Sequence, residues 1–337
     1  MSVERDRTDA EPGLVTIDAI RAAAELLRGV AIHTPLVPFG PPDDRAFLKA
    51  ESLQPIGAFK IRGAYVAIAS LSPEERTRGV VTYSSGNHAQ GVARAARLLG
   101  IPAVVVMPSD APAIKRDRVA ADGAEIVIVG TASDERQQAA ESIARDRGLS
   151  LIPPFDDDRV IAGQGTIGLE ILDDLPEVTA VLVPIGGGGL ASGVATAIKA
   201  IAPGVRVVGV EPELGADARD SLARGEIVRW SAEQVARTIA DGTRTQALGR
   251  RTFAHLRAHL DGIVTVTEAE IAAGVRLAAE RSRLVVEPSG ALVVAALAYH
   301  PEVTRPHGDD GPIVGIVSGG NVDPADFRRY LETPLPG

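Results

Sequence analysis

The sequence predicts an α/β protein built on two parallel sheets, each covered by helices on both faces to make three layers. Three observations carry this. Short, nearly continuous apolar runs rich in Val and Ile alternate with longer helical stretches, as strands buried on both faces require. The length of 337 residues exceeds one average domain and suits two. Clusters of glycine and small polar residues directly follow several apolar runs, the position where open α/β sheets collect ligands.

Residues 1 to about 13 are charged, lack the apolar stretch of a signal peptide and are predicted to be disordered. Thr16 then opens an Ala- and Leu-rich helix that Gly29 closes, with threonine as cap and glycine as stop. Strands are expected at 79–83, 103–107, 125–129, 180–184, 205–210 and 313–317, where β-branched residues concentrate. Helices are expected at 89–99, 113–121, 135–147, 190–200 and 268–281. Segment 152–158, with its two prolines and three aspartates, is the candidate boundary between units. The Pro-rich tail after Asp323 leaves no room for an amino-acid-sensing module, so strong feedback control is not expected.

Composition removes several function classes. Hydrophobic residues make up 45% and charged residues 23%, the profile of a soluble globular protein. Lys plus Arg number 35 against 44 Asp plus Glu, a net charge of −9, which argues against nucleic-acid or anionic-membrane partners. No apolar run is long enough to span a membrane. The absence of cysteine excludes disulfides, thiolate metal sites and cysteine nucleophiles. A cytoplasmic enzyme is the expectation.

Four motifs carry chemistry. Lys60 stands among Ile56, Phe59, Ile61 and Ala64. Burial there disfavours the ammonium form, and a neutral amine attacks aldehydes; alone, the motif also fits a surface lysine on an amphipathic helix. Ser84-Ser-Gly-Asn-His88 follows an apolar run and opens a helix, which presents free N–H groups to a carboxylate or phosphate. Two serines, a glycine and an asparagine exceed what a cap requires. Gly186, Gly187, Gly188 and Gly189 lie between a strand and a helix. Four consecutive glycines pack nothing, and suit a backbone that closely approaches an anion. No Gly-Lys-Ser/Thr follows, so this is not a Walker loop. Ser318, in Ser318-Gly-Gly-Asn321, ends the last apolar run at the carboxyl edge of its sheet.

Other features read more blandly. His255 and His259 lie four apart without an intervening glutamate or a third ligand, and a core or solvated pair is the simpler reading than zinc. His33 and His300 have no catalytic context. Glu211 and Asp217 follow a strand end and could hold a hard cation, although two acidic residues near a loop are more often only solvated.

Taken in order, these motifs resemble the fold-type II pyridoxal-phosphate enzymes, and within them the serine/threonine dehydratase and serine racemase branch, whose fold is that of tryptophan synthase β. The segments carrying the resemblance are Gly57-Ala-Phe-Lys-Ile-Arg-Gly, Ser84-Ser-Gly-Asn-His, Ile161-Ala-Gly-Gln-Gly-Thr166, Gly186-Gly-Gly-Gly-Leu190, Gly209-Val-Glu-Pro212, Ile239-Ala-Asp-Gly242, Glu287-Pro288 and Ser318-Gly-Gly-Asn-Val322. They run from about Thr34 to Asp323.

The resemblance implies specific roles. Lys60 would hold pyridoxal 5′-phosphate as a Schiff base, with Phe59 against the ring. Gly186 to Gly189 would cradle the phosphate, Asn87 would bond the ring hydroxyl, Ser318 the pyridine nitrogen, and Gly242 would lie beside the ring. Ser84, Ser85, Asn87 and His88 would receive the substrate carboxylate, with Ser85 also working on the face opposite the lysine. Glu211, Asp217 and the Gly215 carbonyl match a site for Mg²⁺ or Ca²⁺. The implied division is a large cofactor-binding unit of residues 1–75 plus 158–337, and a small unit of residues 76–157 carrying the substrate loop.

The implied activity is deamination of L-threonine or L-serine to 2-oxobutanoate or pyruvate plus ammonia, in a homodimer or homotetramer. Serine racemase and hydroxyaspartate ammonia-lyase are the nearest alternatives, with a β-replacement enzyme further off. No counterpart is placed for the arginine that some racemases carry near the substrate, which favours elimination. A non-catalytic cofactor-binding regulator is disfavoured by the intact Lys60 and Ser85.

Overall fold

A computed structural model of the chain describes residues 13–41, 45–84, 86–109, 111, 113–130, 133–301 and 311–336. The predicted disorder of the first residues concerns positions outside this set, except Gly13, and Ser85 also lies outside it. Ten strands are described: β1 (Leu36–Pro38), β2 (Ala46–Ala50), β3 (Val80–Tyr83), β4 (Ala103–Pro108), β5 (Glu125–Val129), β6 (Ser150–Leu151), β7 (Ala180–Pro184), β8 (Arg206–Pro212), β9 (Gly262–Val266) and β10 (Ile313–Val317). They form one six-stranded sheet ordered β1-β2-β10-β7-β8-β9 and one four-stranded sheet ordered β5-β4-β3-β6.

All six expected strands are present, and both sheets are parallel except at one edge. There β1 runs antiparallel to β2, because the short connection from residue 38 to residue 46 makes a hairpin and is too short for a parallel crossover. The expectation of wholly parallel sheets is corrected at that strand.

Alternation along each strand makes the three layers. On β7, Ala180 and Leu182 face a core built with helices Glu268–Ser282 and Pro288–Tyr299. Val181 and Val183 point to the opposite core, shared with helices Asp158–Asp174, Gly189–Ile201 and Arg250–His259. On β4, Val105 and Met107 pack with Ala89, Ala93 and Val119, while Val104 and Val106 pack towards Ala140 on the other side.

The first helix, Ile17–Leu26, starts as expected: Thr16 Oγ1 accepts the Ala19 N–H at 3.2 Å. The helix stops at Leu26, and Gly29 takes φ +74° in the turn beyond it. Helix Lys60–Ala69 lies between helices Asn87–Leu99 and Asp158–Asp174, so its first residue sits where the two sheets meet. Segment 152–158 passes this junction and ends where Asp157 caps helix Asp158–Asp174, accepting the Arg159 N–H at 2.8 Å.

Candidate active site

The carboxyl ends of β3, β7 and β10 and the N-terminus of helix Lys60–Ala69 surround one cavity of about 280 Å³. Phe59, Lys60, Ser84, Asn87, His88, the four glycines, Gly242 and Ser318 all line it. Five separate stretches of sequence therefore converge on one space.

Lys60 opens its helix with Phe59 as the residue before it. The Phe59 N–H donates to the Ser318 carbonyl at 3.0 Å, and Ala58 bridges Gly319, so the lysine loop is tied to the end of β10. Lys60 Nζ donates to the Pro154 carbonyl at 2.7 Å and lies 5.0 Å from the Phe59 ring centroid. Among the described residues no carboxylate pairs with it. Desolvation alone pushes the amine down to about 8, which places the nucleophilic neutral form within reach near neutral pH.

The glycine loop is shaped for a bound group. Gly188 adopts φ +89°, a conformation that L side chains rarely take. A side chain at Gly187 would overlap the Phe155 ring. The loop runs directly from β7 into helix Gly189–Ile201, so backbone N–H groups and the helix dipole both favour an anion at this point. A desolvated lysine, a glycine cradle and a cavity of this size fit a phosphorylated aldehyde cofactor.

At the end of β3, Ser84 Oγ accepts the Gly86 N–H at 3.2 Å. His88 is buried and its Nε2 meets the Ile152 carbonyl at 3.1 Å. Desolvation, reinforced by Lys60, pushes its imidazole down to about 3. The ring is therefore neutral, Nε2–H is the donor, and Nδ1 is left without a partner. Asn87 Nδ2 donates to Glu287 Oε1 at 2.7 Å. Gly242 donates its N–H to Ser289 Oγ at 2.8 Å, and Ser318 is 5% exposed at the end of β10.

Sequence reading gave no role to several residues found here. Glu287 lines the cavity; desolvation, then Asp241, push its carboxyl up to about 8. Its only signal was the Glu-Pro pair at a helix start. Pro154 and Phe155 touch Lys60 and the glycine loop, although their segment read only as a boundary. Arg136, Arg229 and Arg244 also line the cavity; no sequence pattern singled them out, and Arg136 stands half-buried near the start of an ordinary helix.

Glu211 and Asp217 lie away from the cavity. Glu211 Oε1 and Oε2 accept the N–H groups of Ala218 and Arg219 at 2.9 and 2.8 Å. Both carboxylate oxygens of Asp217 are buried with no hydrogen-bond partner. Desolvation and Asp217 push Glu211 up to about 8, and desolvation pushes Asp217 up to about 7. Among the described residues no group of three His, Cys, Asp or Glu gathers to hold a metal, so any cation site here depends on backbone oxygen such as that of Gly215. Among the described residues, no helix is long and apolar enough to cross a membrane.

Comparison with known proteins agrees with this geometry. The profile of the family described as pyridoxal-phosphate dependent enzyme matches residues 28–319. An L-threo-3-hydroxyaspartate ammonia-lyase of Saccharomyces cerevisiae is 45% identical over 286 residues, 84% of each chain. An L-threonine ammonia-lyase of Thermotoga maritima is 44% identical over 327 residues, covering 96% of this chain and 79% of that protein. The solved structure of maize serine racemase superposes with a TM-score of 0.88 at 38% identity, covering 95% of this chain and 97% of that one. The chain belongs to the family of pyridoxal-phosphate dependent enzymes.

Proposed function

We propose that the chain is a lyase that deaminates L-threonine or L-serine to a 2-keto acid and ammonia. The observation that carries this reading is the Lys60 amine, desolvated, without a carboxylate partner and set among the glycine loop, Asn87 and Ser318. Bound pyridoxal phosphate supplies the electron sink that makes the substrate Cα–H acidic. Lys60 Nζ would take that proton and deliver it to the hydroxyl as the Cβ–O bond breaks, so that the hydroxyl leaves as water, and the released enamine would hydrolyse to keto acid and ammonia. Ser84, Ser85, Asn87 and His88 hold the substrate carboxylate at the helix N-terminus, Ser85 serves as a second catalytic group, and Phe59 and Gly242 flank the ring. Adding L-threonine or L-serine to the cofactor-loaded protein should yield keto acid and ammonia in equal amounts. Turnover that only inverts the amino acid, or none at all, overturns the reading.

Arg136 favours a second substrate. A guanidinium in the cavity lining suits a β-carboxylate, and a relative is named for L-threo-3-hydroxyaspartate. Loss of activity on hydroxyaspartate, but not on threonine, in Arg136→Gln would support it.

The same reading assigns Glu211, Gly215 and Asp217 to Mg²⁺ or Ca²⁺. The unpartnered Asp217 oxygens support it, since a hard cation would satisfy them. A divalent cation should raise the melting temperature by mass action, and chelation should reverse this; no change in either measurement removes the site. We also read residues 76–157 as one folding unit and residues 1–75 plus 158–337 as the other, and the protein as a cytoplasmic homodimer or homotetramer. Limited proteolysis and light scattering test the division and the assembly.

A further inference from the structure

Glu287 is 5% exposed at the start of helix Pro288–Tyr299, and its side chain meets an amide where Arg62, for comparison, meets carboxylates. The amide belongs to Asn87, whose Nδ2 donates to Glu287 Oε1 at 2.7 Å. Asn87 Oδ1 in turn accepts from Asn321 Nδ2 at 2.9 Å. The same Asn321 nitrogen donates to the Ile56 carbonyl at 2.9 Å, and Asn321 Oδ1 accepts from Arg118 Nη1 at 2.7 Å.

These contacts fix one direction along the whole chain: Arg118 donates to Asn321, Asn321 to Asn87, and Asn87 to Glu287. Turning the Asn87 amide over would set its nitrogen against the Asn321 nitrogen, which Arg118 fixes through Asn321 Oδ1, and would forfeit the Nδ2–H bond to Glu287 Oε1. An asparagine amide carries two Nδ2 protons. Glu287 takes one, and the other remains for an acceptor in the cavity that Asn87 lines. Desolvation and then Asp241 drive the Glu287 carboxyl up to about 8, while Asn87, Lys115 and the Asn321 N–H oppose the rise. In the neutral form that prevails below that pH, Oε1 still accepts.

Glu287 also touches the end of β10. Its N–H donates to the Gly319 carbonyl at 3.1 Å, and a side chain at Gly319 would overlap Glu287 Oε1. One carboxyl thus contacts both the Asn87 helix and the loop holding Ser318.

We propose that Glu287 is a positioning residue, which orients the Asn87 amide so that its remaining Nδ2 proton faces an acceptor atom of the bound pyridoxal ring. This rests on the cofactor reading above. The test uses the full chain stripped of cofactor and titrated with pyridoxal phosphate, reading the visible band and its circular dichroism. Glu287→Gln keeps an acceptor and should bind within about twofold of wild type. Glu287→Met keeps the shape without the acceptor, and should bind about tenfold more weakly with altered dichroism. In an Asn87→Ala background the same substitution should add less than about twofold. Equal losses in both backgrounds, or unchanged affinity and dichroism, overturn the proposal and leave Glu287 a structural support of the Gly319 turn. Thermal melting of the stripped variants shows which of them fold. If Glu287→Met does not fold, Asn321→Ala releases the same amide from its other side; unchanged affinity there overturns the proposal equally. A wild-type chain that forms no visible band sinks the cofactor reading itself, which is a different result.

Discussion

Lys60 and Arg62 stand two residues apart on one helix, Arg62 fully buried and Lys60 half-buried at the cavity, and they meet opposite surroundings. Residues two apart on a helix do not share a face. Arg62 turns towards Glu51 at 2.8 Å and Glu170 at 2.6 Å, and also donates to Thr166 and the Ile32 carbonyl. Burial opposes its charge, but the two carboxylates outweigh burial and hold the guanidinium above its ordinary value. Glu51 shows the reciprocal effect: burial opposes ionisation, Arg62 outweighs it, and the carboxyl is lowered. Lys60 has only a backbone carbonyl, and burial acts on it unopposed. A buried charge with complete partners is scaffold; a buried ionisable group without an opposite charge is available for chemistry.

The largest effect should come from Lys60→Ala. Loss of proton transfer alone costs about 10²–10⁴-fold in rate, and covalent capture of the cofactor disappears with the amine. Borohydride reduction of the wild-type protein followed by peptide mass analysis should place the label on Lys60. A label on Lys49 or Lys115 would break the contrast at its functional end.

Arg62→Leu should break the structural end. It leaves Glu51 buried without its guanidinium, while Glu170 keeps Lys49 at 2.7 Å, and removing one partner of a buried pair costs about 3–5 kcal/mol in unfolding free energy. Urea unfolding of the stripped protein measures this. Lys60→Met should leave stability unchanged or improved in the same assay, because it removes an uncompensated amine. A large loss in the lysine variant and none in the arginine variant would invert the comparison.

The amine also gives a pH signature. Its value is depressed in the folded chain, from 10.5 to about 8. The folded state therefore binds this proton less tightly than the unfolded chain does. The resulting destabilisation is complete below about pH 8 and is relieved as pH rises from about 8 to 10.5. Wild-type stability should gain on Lys60→Met through that window. The rate at which the stripped protein captures pyridoxal phosphate should rise with pH around a midpoint near 8. A midpoint near that of an ordinary lysine would show that the amine is solvated.

Much of this was legible in the sequence, for identifiable reasons. The strands β5, β7 and β10 occupy the expected positions because each is an apolar run, broken only by Glu125 at the start of β5. The strand β2 escaped because Lys49 interrupts it, and only the structure shows that lysine buried and paired with Glu170 at 2.7 Å. β6 is two residues long and carries no pattern. The glycine loop was conspicuous by composition, whereas Lys60 became readable only through the ordered set of motifs that carries the family resemblance. Glu287, Arg136 and Pro154 did not, because each acquires its role from a partner distant in sequence: Glu287 from Asn87, Pro154 from Lys60, and Arg136 from the cavity it lines.

The smallest effect should come from a pair that belongs to neither class. Lys115 Nζ meets Asp241 at 2.9 Å, with side chains 21% and 46% exposed. It has a complete partner, as Arg62 has, but the pair sits in water. An exposed pair contributes about 0–1 kcal/mol and is screened by salt, so Lys115→Met should hardly move the unfolding midpoint. Its position gives it a different leverage. It joins helix Ala113–Ala121, packed on the four-stranded sheet, to the turn Asp241–Thr243 that contains Gly242, and both ends line the cavity. Lys115 also eases the upward push on Glu287, so its loss should raise that carboxyl further. Because both residues line the cavity proposed to receive substrate, the variant should show a KM raised by about two- to fivefold at low salt, the scale of a single exposed ion pair. The difference should vanish near 1 M salt, where the screening length is about 3 Å. A salt-independent change in KM, or a stability loss of several kcal/mol, would instead place Lys115 with Arg62, as part of the scaffold.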